Sequence, residues 1–188
     1  MTAPLVSERR VHRDGNLAWL DLEMTGLDPV RDVILQAALI VTDSQLSPIE
    51  EYCVDVWAPE EALAGMVPFV RDMHTKSGLL ERVRRSKVDV GGAERQLLER
   101  IAGHVPYPAV LCGNSIGQDK RFVERHMPGL AGYLSYRTID VSSIKILAKL
   151  WYGSGAVFDK PKDREHDALF DVQNSIAELA HYRKTLFR

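Results

Sequence analysis

A chain of 188 residues with 45% hydrophobic content is long enough for one domain with a full core. The net charge of −2 gives no overall positive field, so any nucleic-acid partner must be short or recognised locally. No apolar run approaches a membrane span, and residues 1–13 are polar and basic with no hydrophobic signal core. Residues 1–15 therefore read as a flexible leader on a cytoplasmic protein. Cys53 and Cys112 read as buried thiols of a reducing compartment.

In chain order, the apolar run Leu17 to Leu20 predicts a strand buried on both faces. Asp21 and Glu23 follow two apart, so on a strand they point to the same side. Met24-Thr25-Gly26 then breaks the pattern. Two carboxylates side by side at a strand end repel, and at least one tends to stay protonated. A divalent cation removes the conflict, and Mg²⁺ or Mn²⁺ prefers hard oxygen ligands of this kind.

Val33 to Val41 and Tyr52 to Trp57 predict two more strands. Residues 60–87 are helical but irregular, with Pro68 and Gly78 as punctuation. A basic cluster here (Arg82, Arg84, Arg85, Lys87) is read as a solvated helix face, with an RNA-guiding role as the less favoured alternative. Glu94 to Ile101 is an amphipathic helix. Ala109 to Cys112 is a short strand leading into Asn114 and Ser115, either of which could cap the next helix. Asp119 on that helix falls on the stripe of Phe122 and Val123, where a carboxylate is costly unless paired or metal-bound.

Tyr136 to Val141 predicts a further strand, and Ser142 to Trp151 a helix with Ile144, Leu147, Ala148 and Trp151 inward. Residues 152–165 form a Gly-, Pro- and charge-rich loop. The last helix runs from Asp167 or Ala168 to Arg183 along Leu169, Val172, Ile176 and Leu179. His166 and Asp171, about 140° apart if both were helical, converge only if His166 precedes the helix. These elements describe one α/β domain around a mixed sheet.

Taken as a set, Asp21-Leu-Glu23, Asp119 and His166-Asp-Ala-Leu-Phe-Asp171 resemble the three exonuclease motifs of the DEDDh superfamily. Trp19 to Asp28, Met73 to Leu79, Cys112 to Asp119, Tyr136-Arg137 and Asp140-Val-Ser142 resemble its oligoribonuclease family, over nearly all of residues 16–188. The resemblance implies a ribonuclease-H-like five-stranded mixed sheet flanked by helices, in a single domain. It implies a 3′-to-5′ exoribonuclease that cuts very short oligoribonucleotides, dinucleotides especially, to nucleoside 5′-monophosphates. Two Mg²⁺ or Mn²⁺ ions would lie among Asp21, Glu23, Asp119 and Asp171, activating the water and steadying the leaving oxygen. His166 would be the general base.

By the same resemblance Leu27 would wedge between two bases, and Phe69 would stack where relatives usually carry tryptophan, with His74 near that platform. Ser115, Arg137 and Ser142 would hold the 5′ phosphate. Tyr136 would reach the site of a second subunit in a homodimer. The chain departs from the family pattern at Gln36, Ser135 and Phe170 as well as at Phe69, none of them a metal ligand. Asp140 is a rival fourth ligand by position. Two other functions remain open: a DEDDh exonuclease acting on longer RNA or DNA ends, and a catalytically silent RNA-binding scaffold.

Overall fold

The computed structural model describes residues 14–161 and 167–187. Five strands form one mixed sheet: β1 (Leu17–Met24), β2 (Ile34–Thr42), β3 (Pro48–Asp55), β4 (Ala109–Gly113) and β5 (Leu134–Asp140), in the order β3-β2-β1-β4-β5. β1 is central, antiparallel to β2 and parallel to β4, as a strand apolar on both faces requires. All nine residues of β2 are buried, Gln36 included, as suits an apolar run that only this residue interrupts. The expected five-stranded, helix-flanked architecture is what the chain adopts.

Side-chain alternation along β1 decides what each face meets. Ala18, Leu20 and Leu22 pack against Leu97 and Ile101 of α4 (Val90–His104), Phe122 and Val123 of α5 (Gly117–His126) and Leu130 of α6 (Pro128–Tyr133). Trp19 points the other way, to Val141 and Ala148 of α7 (Val141–Tyr152) and to Ala168, Val172, Ile176 and Tyr182 of α8 (Ala168–Thr185). Its indole N–H donates to Thr42 Oγ1 at 3.0 Å, satisfying the one polar atom of a fully buried ring. Asp21 and Glu23 continue the Trp19 side and so emerge beneath the start of α8. A third cluster joins Leu35 to Leu63 of α1 (Glu60–Ala64) and to Leu79, Leu80 and Val83 of α3 (Leu79–Arg85).

Several local expectations change. The irregular helical stretch is three helices, with α2 (Pro68–Lys76) between the other two. Pro68 sits in the first turn of α2, where its missing N–H costs nothing, and Gly78 at φ +71 makes the break before α3. The amphipathic helix is longer than Glu94 to Ile101 because Asp89 caps it, accepting from Gly92 N at 2.6 Å. Neither Asn114 nor Ser115 caps α5, whose N-cap is Ile116; their side chains are engaged elsewhere. On α7, Leu147 and Trp151 face outward, 39% and 69% exposed, so only part of the expected stripe is core.

Cys53 lies exposed on the edge strand β3 and is not the buried thiol expected; Cys112 is buried, and both are free. Arg82, Arg84 and Arg85 pair with Asp55, Glu60 and Glu81, which supports the solvated-face reading of the basic cluster. Residues 154–156 form a short 3-10 turn in the loop after α7. Among the described residues, no helix is long and apolar enough to cross a membrane.

Candidate active site

The site forms where β1 ends. The β1–β2 register shifts between Glu23 and Met24, so the ladder breaks directly after the second acid. The N-terminus of α8 approaches from the same side. Its cap is Asp167, whose carboxylate accepts from Phe170 N at 3.3 Å, and this puts Asp171 in the first turn. As a result Asp21, Glu23 and Asp171 each bring a carboxylate oxygen within 4.8 Å of the others. Asp119 comes from the opposite face of β1, where its Oδ1 accepts from Leu22 N at 3.0 Å. It is buried with Phe122 and Val123, as its position on the stripe predicts.

The electrostatics follow from burying several acids close together. Burial pushes the Glu23 carboxyl up to about 8, helped by the charges of Asp171, Asp119 and Asp167. Asp21 is also raised, by burial first and then by Asp119, Glu23 and Asp171, with Lys160 pulling against them. For Asp119, burial lifts the carboxyl to about 7 against the Leu22 hydrogen bond, and Asp140 adds repulsion. A divalent cation is the group this donor set fits: several hard, close oxygens whose repulsion it would neutralise.

His74, expected near the aromatic platform, is fully buried beneath the acids. Its Nε2 lies 2.9 Å from Met24 O, and its Nδ1 is 3.9 Å from Glu23 Oε2. Leu27 and Phe69 are by contrast 71% and 74% exposed, two apolar side chains held out in solvent. Gln118 donates to Leu27 O at 2.6 Å and steadies the loop. A hollow beside Leu27 runs past Gly26, Asp28, Arg31 and Arg121.

On the other side of β1, Ser115 and Ser142 meet. Their hydroxyl oxygens are 3.0 Å apart, and Ser115 N donates to Ser142 Oγ at 3.0 Å. Ser115 adopts φ +53, a left-handed turn that brings its amide round to α7. Asp140 is the N-cap of α7, accepting from Ser142 N at 2.9 Å and Ser115 N at 3.0 Å. Those two bonds engage its Oδ1, and it is not one of the three acids whose oxygens cluster within 4.8 Å. Tyr136 is 79% exposed, with the Arg137 guanidinium 5.0 Å from its ring centroid. Lys120 fixes this pair from below, donating to Ser135 O and Tyr136 O at 3.2 and 3.1 Å. Sequence reading missed Lys120, Gln118 and the cap role of Asp140; only the Asp-x-Ser spacing before a helix signalled any of them. The expected base, His166, lies outside the described residues.

Comparison with known proteins gives this geometry its context. The RNase_T family model, described as Exonuclease, matches residues 18–179. Curated oligoribonucleases of Pseudomonas aeruginosa and Vibrio parahaemolyticus are 50% and 48% identical over 170 and 178 residues. The alignments cover 89% and 93% of this chain, and 94% and 97% of those proteins. The chain belongs to the oligoribonuclease family. This oligoribonuclease is therefore a hydrolase of the exoribonuclease type, within the DEDDh superfamily. Among solved structures it resembles Exonuclease I of E. coli in complex with a 5cy-dT13 oligonucleotide, at TM-score 0.73 and 16% identity over 93% of this chain. Exonuclease I of Methylocaldum szegediense gives TM-score 0.72 at 20% identity over 91% of it. The oligoribonuclease spans about two fifths of those chains, 42% and 41%, and the likeness shows a shared fold.

Proposed function

We propose that this oligoribonuclease removes 3′ nucleotides from very short RNAs, dinucleotides especially, releasing nucleoside 5′-monophosphates. The observation that carries the reading is the convergence of Asp21, Glu23 and Asp171 on one point at the end of β1, with Asp119 against the same strand. These four carboxylates would hold two divalent ions, Mg²⁺ or Mn²⁺. When bound, the ions supply Lewis-acid polarisation of the scissile phosphate and of the attacking water. His166 takes the proton of that water on an imidazole nitrogen and later returns it to solvent. Burial of His74 against Met24 O and beside Glu23 suits a residue that holds the Glu23 carboxylate in place.

Leu27 separates the two bases and Phe69 stacks on one of them, which is supported by their exposure in an otherwise apolar-inward fold. Ser115 and Ser142 cradle the 5′ phosphate, and Arg137 binds it through charge-assisted hydrogen bonds. Tyr136 completes the site of a second subunit in a homodimer. The outward face of α7, with Ile146, Leu150 and Trp151 at 58%, 71% and 69% exposure, supports such a pairing. Free thiols at Cys53 and Cys112 fit a cytoplasmic location.

A length series tests the closed-site reading. A 5′-phosphorylated dinucleotide should be cut with higher kcat/KM than a twenty-mer of similar composition, because net charge −2 offers no long basic groove. Arg137→Ala should lower dinucleotide kcat/KM by about tenfold or more, the scale of a lost bond to a charged group, and affect the twenty-mer far less. Equal rates on both lengths, or equal loss with Arg137→Ala, would favour a general DEDDh exonuclease acting on longer ends.

A further inference from the structure

The strand that carries Tyr136 and Arg137 does not pair evenly with its neighbour. Ala109 of β4 is opposite Leu134 of β5, but Leu111 is opposite Thr138, so Val110 alone spans Ser135, Tyr136 and Arg137. The extra residues make a bulge on an edge strand of the sheet. Tyr136 and Arg137 stand exposed on it, while Ser135 stays buried.

A bulge interrupts the ladder, and here side chains supply partners to its backbone. Ser135 Oγ accepts from Arg137 N at 3.1 Å. The Lys120 ammonium donates to Ser135 O at 3.2 Å and to Tyr136 O at 3.1 Å. With three hydrogens and a full charge, one ammonium can hold both carbonyls through charge-assisted bonds. Lys120 follows Asp119 on α5, and the Asp119 carboxylate is itself bonded to Leu22 N on β1. Two consecutive residues of one helix therefore grip β1, where the acids gather, and the bulge that presents the Arg137 guanidinium.

We propose that Lys120 is a positioning residue that holds the β5 bulge so that Arg137 meets the 5′ phosphate, and that it thereby sets the preference for 5′-phosphorylated substrates. The inference rests on the reading that Arg137 binds that phosphate. Without the ammonium the two carbonyls turn to water and the bulge gains conformations. Arg137 must then be ordered again at each encounter, which weakens its contact with the substrate. A substrate with no 5′ phosphate does not use that contact and is spared the loss.

The test is the ratio of kcat/KM for a 5′-phosphorylated dinucleotide to that for the same dinucleotide with a 5′-hydroxyl. Lys120→Met should lower this ratio about tenfold, through KM for the phosphorylated substrate. Lys120→Gln, shorter and uncharged, is a second variant and must move the ratio in the same direction. A residue that only supports the fold would reduce both substrates together, and an unchanged ratio overturns the inference. A double-mutant cycle separates positioning from a direct pull of the Lys120 charge on the phosphate. In an Arg137→Ala background, Lys120→Met should change the ratio by less than about twofold, because the residue through which it acts is gone. The same tenfold loss in that background overturns the inference. The response of the melting temperature to Mn²⁺ should match that of the wild type; a changed response would place the effect at Asp119 and overturn it as well. Arg137→Ala alone tells the remaining failures apart. If it lowers the ratio and Lys120→Met does not, the phosphate reading stands and the role of Lys120 is refuted. If Arg137→Ala leaves the ratio unchanged, the phosphate reading fails and the inference falls with it.

Discussion

Two glutamates of the same sheet are treated in opposite ways. Glu23 at the end of β1 is packed among other carboxylates, and its carboxyl is raised to about 8. Glu50 on β3 is also partly withdrawn from water, and burial alone would raise it. Hydrogen bonds from Arg100 and His104, with His104 Nε2 2.5 Å away, outweigh that and hold it below the usual carboxylate range. The Arg100 guanidinium also lies 3.8 Å from the Tyr52 ring centroid. One acid is held by cations of the fold; the other is shifted by burial and by neighbouring carboxylates. Glu178, facing Lys145 and Lys160, belongs with Glu50 in this respect. A carboxylate paired with cations of its own chain is structural; a cluster whose members raise one another's carboxyls is the kind of site that marks function.

The largest expected consequence of that difference is a response to divalent ions. Millimolar Mn²⁺ should raise the melting temperature of the EDTA-treated protein, by about 2.7 kcal/mol of stability at a hundredfold excess over Kd. Asp21→Asn should abolish most of this shift, and Glu50→Gln should leave it intact. His166→Ala should retain the shift while turnover falls roughly 10²- to 10⁴-fold, the usual range for a lost general base. A wild-type melting curve indifferent to Mn²⁺ would remove the distinction between the two acid sites.

Next in size is a pH dependence of the metal-free protein. Between about 4.5 and 8 the folded state keeps a proton on Glu23 that the unfolded chain gives up. Asp119, raised to about 7, adds to the effect. Stability is therefore highest below the unfolded values and is lost as pH rises towards 8. Thermal melts in EDTA should show a lower melting temperature at pH 8 than at pH 5, by about 2–4 °C for each kcal/mol. Glu23→Gln should flatten the decline. A melting temperature that rises over this interval would contradict the repulsion.

Glu50 should show the smaller effect, with the sign reversed. Its depressed carboxyl contributes stability that is present above about 4.5 and disappears as pH falls through the folded value. Glu50→Gln should cost roughly 1–3 kcal/mol near pH 7 by denaturant titration, and the gap from wild type should close in acid. A constant gap at every pH would mean that shape rather than charge holds Arg100 and His104.

Much of this was legible in the residues themselves. Period-two spacing put Asp21 and Glu23 on one side of a strand, and helical spacing put Asp119 on the stripe of Phe122 and Val123. Both are local regularities that survive folding. Leu147 and Trp151 defeated the same logic, because an apolar residue at helical spacing does not say whether a neighbour covers it. Asn114 and Ser115 were misread as caps since the left-handed turn at Ser115, which redirects both side chains, has no signature in a non-glycine residue. His74 was placed with the surface platform; its descent beneath Glu23 depends on how α2 packs against the sheet, a long-range fact. Cys53 looked buried from its apolar neighbours, yet β3 is an edge strand and its outward side meets water.

The turn that follows β1 has a consequence for when Leu27 becomes ordered. Asp32 grips that turn with both carboxylate oxygens, accepting from Thr25 Oγ1 at 2.9 Å and from Asp28 N at 3.0 Å. Thr25 Oγ1 in turn accepts from Val33 N at 3.0 Å. Gly26 passes so close that an added Cβ would lie 2.4 Å from Asp32 Oδ2, and no side chain could be seated there without opening the clasp. The backbone that carries Leu27 is thus set by folding itself, in water, before any ligand arrives. The entropy that a flexible loop would lose at each encounter is lost once per molecule, during synthesis, and never again in turnover. If Leu27 meets a base as proposed, that shift in timing favours a substrate with few contacts.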